Sequence, residues 1–356
     1  MYDDSPEMKA ILYSKFIKYD KLNEILGKSY CDSINSKILN VYIDLYQFIA
    51  SLYRFNDMQE PMNLTSCIAN LAIHYRNYFK KFGIYTNIFI VYSPTTNAHN
   101  LKFCPSWNSS NIENAALNTY MRDIVNSNLG LMGTMIPYLP DIFFRMGTFE
   151  VPVIIADMIN KFKARGFNPP NLVISSSQYA YQLPAYIENT TLLVQKRNVE
   201  YGDCSYVVVP FSPIVNMYIN AIKKESARDK DFILRKDYIT AAMVLLGVSK
   251  RDLKALISAP LFFKFVRKME ADYEVPTLEG IVSVLSRMQE KAIQNISVSE
   301  ISNRYKCVDL SYQVGLYDTM PESMETRYLK QLSDEPALNE INNTYFYNNP
   351  VSLDML

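Results

Sequence analysis

The sequence predicts an α/β domain built on a largely parallel sheet flanked by helices, followed by a helical C-terminal region. Two observations carry this. Short apolar runs of strand length, "KILNVYID", "TNIFIVYS" and "NLVIS", alternate with longer segments of helical apolar spacing, which implies parallel pairing through crossovers. Beyond about residue 215 the strand-like runs stop and only helical patterns remain.

Residues 6–26, "PEMKAILYSKFIKYDKLNEIL", repeat apolar positions at helical spacing and predict a helix within an N-terminal extension over 1–37. The first strand runs from Ile38 to Ile43, ends at Asp44 and passes into a helix, "LYQFIASLYRF". "LTSCIANLAIHYRNYFKKFG" reads as an amphipathic helix stopped by Gly83. The next strand, "TNIFIVYS", is broken by Pro94. Residues 95–139 form a polar insertion in which "IENAALNTYMRDIV" is the clearest helix. "PDIFFRMGTFE" leads into the helix "VPVIIADMINKFKARG", with Pro152 in the first turn, where its missing N–H costs nothing. "NLVIS" is a third buried strand, with "TTLLVQKR" and "SYVVVPF" as further candidates. The α/β domain therefore spans 38–215 and the helical region 216–320, while the polar segment 321–356 with its scattered aromatics reads as an irregular tail.

Composition narrows the function classes. Lysine plus arginine equal aspartate plus glutamate at 36 each, so affinity for nucleic acid must come from local patches. No apolar run approaches the roughly 20 residues of a membrane helix, and the acidic start "MYDDSPEMKA" is unlike a signal peptide. Five scattered cysteines include no CxxC pair, which fits reduced thiols and argues against a zinc site. Of the two histidines, His74 lies in "IANLAIHYRNYF", where a helix-face or capping role outweighs catalysis.

Parallel α/β sheets gather their sites at strand C-termini, so the strand-to-helix junctions carry the functional reading. "NVYIDLYQF" ends a strand in Asp44, and "NIFIVYSP" ends one in Ser93. "GTFEVPVIIADMI" opens a helix with Glu150, Pro152 and Val153, and "VISSSQYAYQL" follows a strand with Ser177, Tyr179, Gln182 and Leu183. In order and spacing these four junctions resemble those of the 5′ nuclease superfamily, the PIN-like fold of flap endonucleases and phage 5′-3′ exonucleases. In that family a strand ends in aspartate, a second ends in aspartate before a helical arch, a G-x-E-A-D-D cluster opens a helix, and a strand precedes T-G-D-x-D-x-x-Q-L. The resemblance implies that Asp44 and Glu150 are retained metal-site carboxylates, while Ser93, Pro152, Val153, Ser177 and Tyr179 stand where the family places acids. Two-metal phosphodiester hydrolysis needs several carboxylates to space two cations about 3.5 to 4 Å apart. Asp44 and Glu150 alone imply at most one weak, mostly hydrated Mg²⁺ and no other cofactor. The family's arch is rich in lysine and arginine, whereas the segment from Thr95 to Pro140 offers only Lys102 and Arg122.

The segment 237–257 reads as a helical hairpin, two short helices meeting at Gly247, with Ser249 as N-cap of the second and Lys250, Arg251 and Lys254 on it. The family carries a helix-hairpin-helix-like element here that binds the duplex backbone. An ordinary hairpin with a solvated basic face, nonspecific phosphate contact and a base-reading helix-turn-helix all fit these residues. The expected protein is a catalytically degenerate 5′ nuclease-like chain acting as a noncatalytic DNA-binding or replication and transcription accessory factor. Alternatives are a structural or assembly component of a virion or phage complex, and a residual metal-dependent nuclease. The abundance of Tyr, Asn, Ile and Lys resembles the coding bias of an AT-rich genome such as a phage's. DNA through its backbone and a phage or host protein are the expected partners, in the host cytoplasm or on the virion, and no membrane is expected.

Overall fold

The computed structural model describes residues 28–45, 72, 75–93, 98–107, 123, 142–147, 149–175, 177–197, 204–208, 236–248 and 253–318. Its framework is a six-stranded sheet in the order β3-β2-β1-β4-β5-β6. The strands are β1 (Ile38–Asp44), β2 (Tyr85–Tyr92), β3 (Ile142–Met146), β4 (Asn171–Ile174), β5 (Thr190–Arg197) and β6 (Cys204–Val208). The first five are parallel, and β6 pairs antiparallel with β5 at one edge. Helix α1 (Lys28–Ser33) precedes the sheet, and α2 (Ala98–Phe103) follows β2.

Both faces of the central strands are buried, which is why they read as unbroken apolar runs rather than alternating ones. One face carries Leu39, Val41, Ile43, Ile88 and Ile90. On the other, Tyr42, Phe89 and Phe143 lie in register across three strands. Phe89 stacks on both neighbours, with ring centroids 4.9 and 5.0 Å away, and meets Phe162 of α3 (Val151–Ala164) at 5.5 Å. The α3 helix sits on that face, its first nine residues all buried and its last turn basic, as suits a helix C-terminus. Strand β3 departs from the sequence reading, which took "PDIFFRMGTFE" only as the approach to α3; it is an edge strand of the sheet.

Helix α4 (Leu183–Tyr186) follows β4 through a 3-10 turn over Gln178–Gln182. The C-terminal part is helical: α5 (Ile239–Leu246), α6 (Ala259–Ala271), α7 (Leu278–Arg287), α8 (Lys291–Gln294), α9 (Val298–Val308) and α10 (Leu310–Asp318). One continuous apolar core joins the α3 face of the sheet to α5, α6, α7, α9 and α10. The expected hairpin is corrected here. Residues 253–258 are not helical, and the helix after Gly247 starts at Ala259. Val248 and Leu253 form an isolated antiparallel bridge, and the N–H groups of Leu256 and Ile257 both donate to Leu245 O. Ser249, Lys250 and Arg251 lie outside the described residues, as do the helix expected at 6–26, all but Asp123 of the helix expected at 112–125, and the tail 321–356. No helix among the described residues is long and apolar enough to cross a membrane.

The break between α9 and α10 is held by Asp309, whose Oδ1 accepts the N–H of Tyr312 at 2.6 Å. Burial holds its carboxyl above the usual carboxylate range, opposed by bonds from Tyr312 N–H and the Tyr305 hydroxyl. A raised folded-state pKa makes protonation favourable to folding. The benefit is fully present below the unfolded pKa and lost as pH rises through the folded one. Asp309→Asn keeps an acceptor for Tyr312 and removes the buried charge. We expect it to raise the melting temperature at pH 7, with the advantage vanishing in acid, as a thermal melt series across pH will read.

Candidate functional site

The winding of the sheet places the site. The chain steps from β1 outward to β2 and β3, then returns to the other side of β1 as β4. Ligand crevices of open α/β sheets lie at such switch points, outside the strand C-termini. Here that is the junction of β1 and β4. Asp44, the last residue of β1, is 3 % exposed, and Ser175, the first residue beyond β4, donates its Oγ–H to Asp44 Oδ2 at 2.7 Å. Ser175 Oγ also accepts the N–H of Ser177 at 3.1 Å. Ser177 Oγ accepts the N–H of Tyr179 at 3.3 Å and so caps the 3-10 turn. The Ser175 hydroxyl thus bridges the Asp44 carboxylate and the Ser177 backbone across the strand ends.

The other acid singled out in the sequence is engaged in a different way. Glu150 precedes α3 as its N-cap residue, with no side-chain cap bond, and is 9 % exposed. Its Oε1 accepts the indole N–H of Trp107 at 3.4 Å. Trp107 is itself buried, and its backbone N–H bonds Cys104 O in the turn after α2, so the start of the insertion folds back over the α3 terminus. Pro152 and Val153 are buried in the first turn of α3.

The remaining residues of the β4 junction reach toward the C-terminal helices. Tyr179 is 1 % exposed and donates its hydroxyl to Cys307 O at 3.4 Å. Gln182 Nε2 donates to Val308 O at 2.7 Å, and Gln182 Oε1 accepts from Thr240 Oγ1 at 3.0 Å and Leu310 N at 3.3 Å. Asn100 of α2 donates to Cys307 O at 3.2 Å and accepts from Gln313 Nε2 at 2.9 Å. Phe149 packs edge-on against Tyr317 of α10, 5.1 Å between centroids.

Two solved structures of bacteriophage T5 proteins share this architecture. The T5 D15 protein co-crystallised with metal ions superposes with a TM-score of 0.54 at 11% identity, over 87% of this chain and 99% of that one. The T5 5′-exonuclease with bound zinc gives 0.51 at 11% identity, with the same coverage. This chain has the 5′ nuclease, PIN-like fold. No protein-family sequence model matches it, and no curated protein matches it in sequence.

The acids of the sequence reading lie apart in the hydrogen-bond pattern, Asp44 on Ser175 and Glu150 on Trp107. Among the described residues no group of three or more His, Cys, Asp or Glu side chains is placed to hold a metal ion. A further buried acid of α3, Asp157, forms an ion pair with Lys161 at 3.1 Å. The structure joins Asp44 to Ser177 through Ser175, and Tyr179 to α9; Ser93, half-buried just past β2, lies at the same edge. Lys254 is exposed, and its backbone carbonyl accepts from Arg304 Nη1 of α9.

Ser175, Trp107 and Asn100 were missed by sequence reasoning. Ser175 stands beside Asp44 because β1 and β4 pair with Ile43 opposite Ile174, so their next residues are neighbours. That pairing was available once β4 was placed next to β1. Trp107 and Asn100 sit in the insertion, whose return path has no periodic signal.

Proposed function

We propose that this chain is a 5′ nuclease-fold protein that binds nucleic acid without cutting it, as an accessory factor in phage replication or transcription. The observation that carries the reading is that both retained acids accept hydrogen bonds from protein donors, Asp44 from Ser175 and Glu150 from Trp107, while Pro152, Val153 and Tyr179 fill the family's acidic positions. A carboxylate with an oxygen committed to a protein donor has fewer lone pairs for a cation. Two-metal hydrolysis needs the opposite arrangement. Asp44 and Glu150 are left, at most, as one weak Mg²⁺ site.

The test is cleavage of flap and single-stranded DNA with Mg²⁺ or Mn²⁺, comparing the native chain with Asp44→Ala. No Asp44-dependent cleavage is expected; robust cleavage lost in the variant would replace this reading with a residual nuclease. Binding is assigned to Ser249, Lys250, Arg251 and Lys254, the basic segment that follows Gly247 in sequence. Contact with phosphates predicts salt-sensitive affinity that falls about tenfold or more on double charge reversal at Lys250 and Lys254. Anisotropy with labelled duplex and single strands reads this, and unchanged affinity removes the assignment.

One observation favours a second reading, a component of a virion or phage protein assembly. Tyr273, at the corner between α6 and α7, is 94 % exposed and holds a left-handed backbone (φ 56°), with Val275 63 % exposed beside it. The corner is a Schellman turn, Tyr273 N–H to Glu270 O and Glu274 N–H to Met269 O, a place where glycine is usual. Exposed apolar groups with an acidic neighbour, Glu270, suit a protein contact better than DNA. Salt-insensitive oligomerisation without DNA binding would select this reading.

A further inference from the structure

Cys104 and Cys307 are both buried free thiols, and they meet across a long stretch of chain. Cys104 closes the end of α2, its N–H bonded to Asn100 O at 2.8 Å. Cys307 lies in the last turn of α9 and aims its Sγ at the same Asn100 carbonyl, 3.4 Å away and 207 positions earlier. Cys104 and Cys307 thus meet at one backbone carbonyl, near enough for each thiol to shift the other's titration. Both sulfurs are held by fixed backbone: Asn100 Nδ2 and the Tyr179 hydroxyl converge on Cys307 O, and Gln313 holds the Asn100 side chain. Arg304, one turn before Cys307, supplies a positive charge beside them, with Glu300 as its ion-pair partner at 3.0 Å.

We propose that Cys104 and Cys307 form a redox site, which hydrogen peroxide converts to a reversible disulfide that staples the base of the insertion to α9. The pair is asymmetric. The Cys307 side chain lowers the Cys104 pKa, burial opposes this, Arg304 adds to the lowering and Glu300 opposes it. The same interaction, together with burial, raises Cys307. Of the two, Cys104 is therefore the more readily deprotonated and attacks, and Cys307 resolves. The Cys104 sulfur attacks the peroxide, an S–O bond forms as the O–O bond breaks, and the leaving hydroxide takes a proton to become water. The Cys307 sulfur then attacks the sulfenic sulfur, an S–S bond forms as the S–O bond breaks, and the departing hydroxide leaves as water with the Cys307 proton. Two thiols lose two electrons and the peroxide is reduced to two waters. Cys31 is an internal control, since burial pushes its thiol up to about 11 and keeps it protonated at neutral pH.

The full chain is treated with equimolar hydrogen peroxide at neutral pH, alkylated and digested without reduction. Mass mapping is expected to find a linked Cys104–Cys307 peptide pair, two hydrogens lighter than its parts, with Cys31 unlinked. Because the closed loop is long, the oxidised chain is expected to melt roughly 5 °C higher, reversibly with dithiothreitol. In Cys104→Ser the link and the rise both disappear. Cys307→Ala provides the same comparison should that variant fail to fold. Over-oxidation of Cys104 with Cys307 still alkylatable, a link to any other cysteine, or no link at all overturns the proposal.

Discussion

Replacing Gly247 with alanine is expected to lower folding stability by about 3–5 kcal/mol, against about 1–2 kcal/mol for Gly83→Ala. Both glycines have positive φ, 79° and 73°, yet their surroundings differ. A Cβ at Gly83 meets nothing within 4 Å, so the substitution costs only the left-handed backbone. At Gly247, with ψ 177°, the backbone is in a region nearly confined to glycine. A Cβ there falls 2.1 Å from Leu253 O and 2.8 Å from the Lys254 carbonyl carbon. Those atoms cannot yield cheaply, because Leu253 O accepts the N–H of Val248 at 2.9 Å and Lys254 O accepts from Arg304. Urea titrations of the two variants separate the terms. Equal losses would show that the loop yields and that backbone conformation alone is at stake.

The same loop shows what the sequence conceals. "SKRDLKALIS" spaces Leu253, Leu256 and Ile257 as a helix face would, and that pattern predicts a second hairpin helix. The structure satisfies it differently: Leu253 and Ile257 are buried in a non-helical segment folded back on the end of α5. Apolar spacing reports which residues are covered, and a returning coil covers Leu253 and Ile257 fully and Leu256 in part. Strands β1, β2 and β4 were legible because each is buried on both faces, and α3 because Pro152 marks its start. Strand β3 was hidden by Arg145, its fourth of five residues. That residue is 3 % exposed, and its Nη2 donates to Tyr317 OH at 3.3 Å, a partner 172 positions later that no local pattern announces.

At the strand ends the sequence located the junctions without revealing what each side chain touches. Asp44 and Glu150 were legible as acids at expected positions. Their hydrogen-bond donors were not, since Ser175 depends on strand register and Trp107 on the return of the insertion. Tyr179 read from the sequence as standing in an acidic position; in the structure it is a packing contact. Its ring is buried and its hydroxyl fastens α9 to the sheet, work that a solvated or metal-bound aspartate would not perform.

Gln182 extends this point into the second large effect. Its place in the family motif invites a reading as a relic of the metal-site junction, but its amide is the node between the sheet and three C-terminal helices. It gives one bond to Val308 O at the end of α9, and receives one from Leu310 N at the start of α10 and one from Thr240 Oγ1 of α5. Gln182→Met preserves length and apolar bulk while leaving these groups without their partner in a buried setting. At about 1–3 kcal/mol for each orphaned group, partly relieved by rearrangement, a loss of about 3 kcal/mol or more is expected in chemical denaturation. Gln182→Glu separates hydrogen bonding from volume. It keeps an acceptor for Thr240 and Leu310 but turns a second oxygen toward Val308 O, so its carboxyl is held protonated by the fold. A raised folded-state pKa gives stability that is present in acid and lost as pH rises through it. The glutamate variant should therefore approach the native chain at low pH and fall away toward neutrality, while the methionine variant keeps a constant deficit. Parallel pH profiles for the two would mean that Gln182 acts through packing, and that the bond to Val308 O contributes little to holding α9 against the sheet.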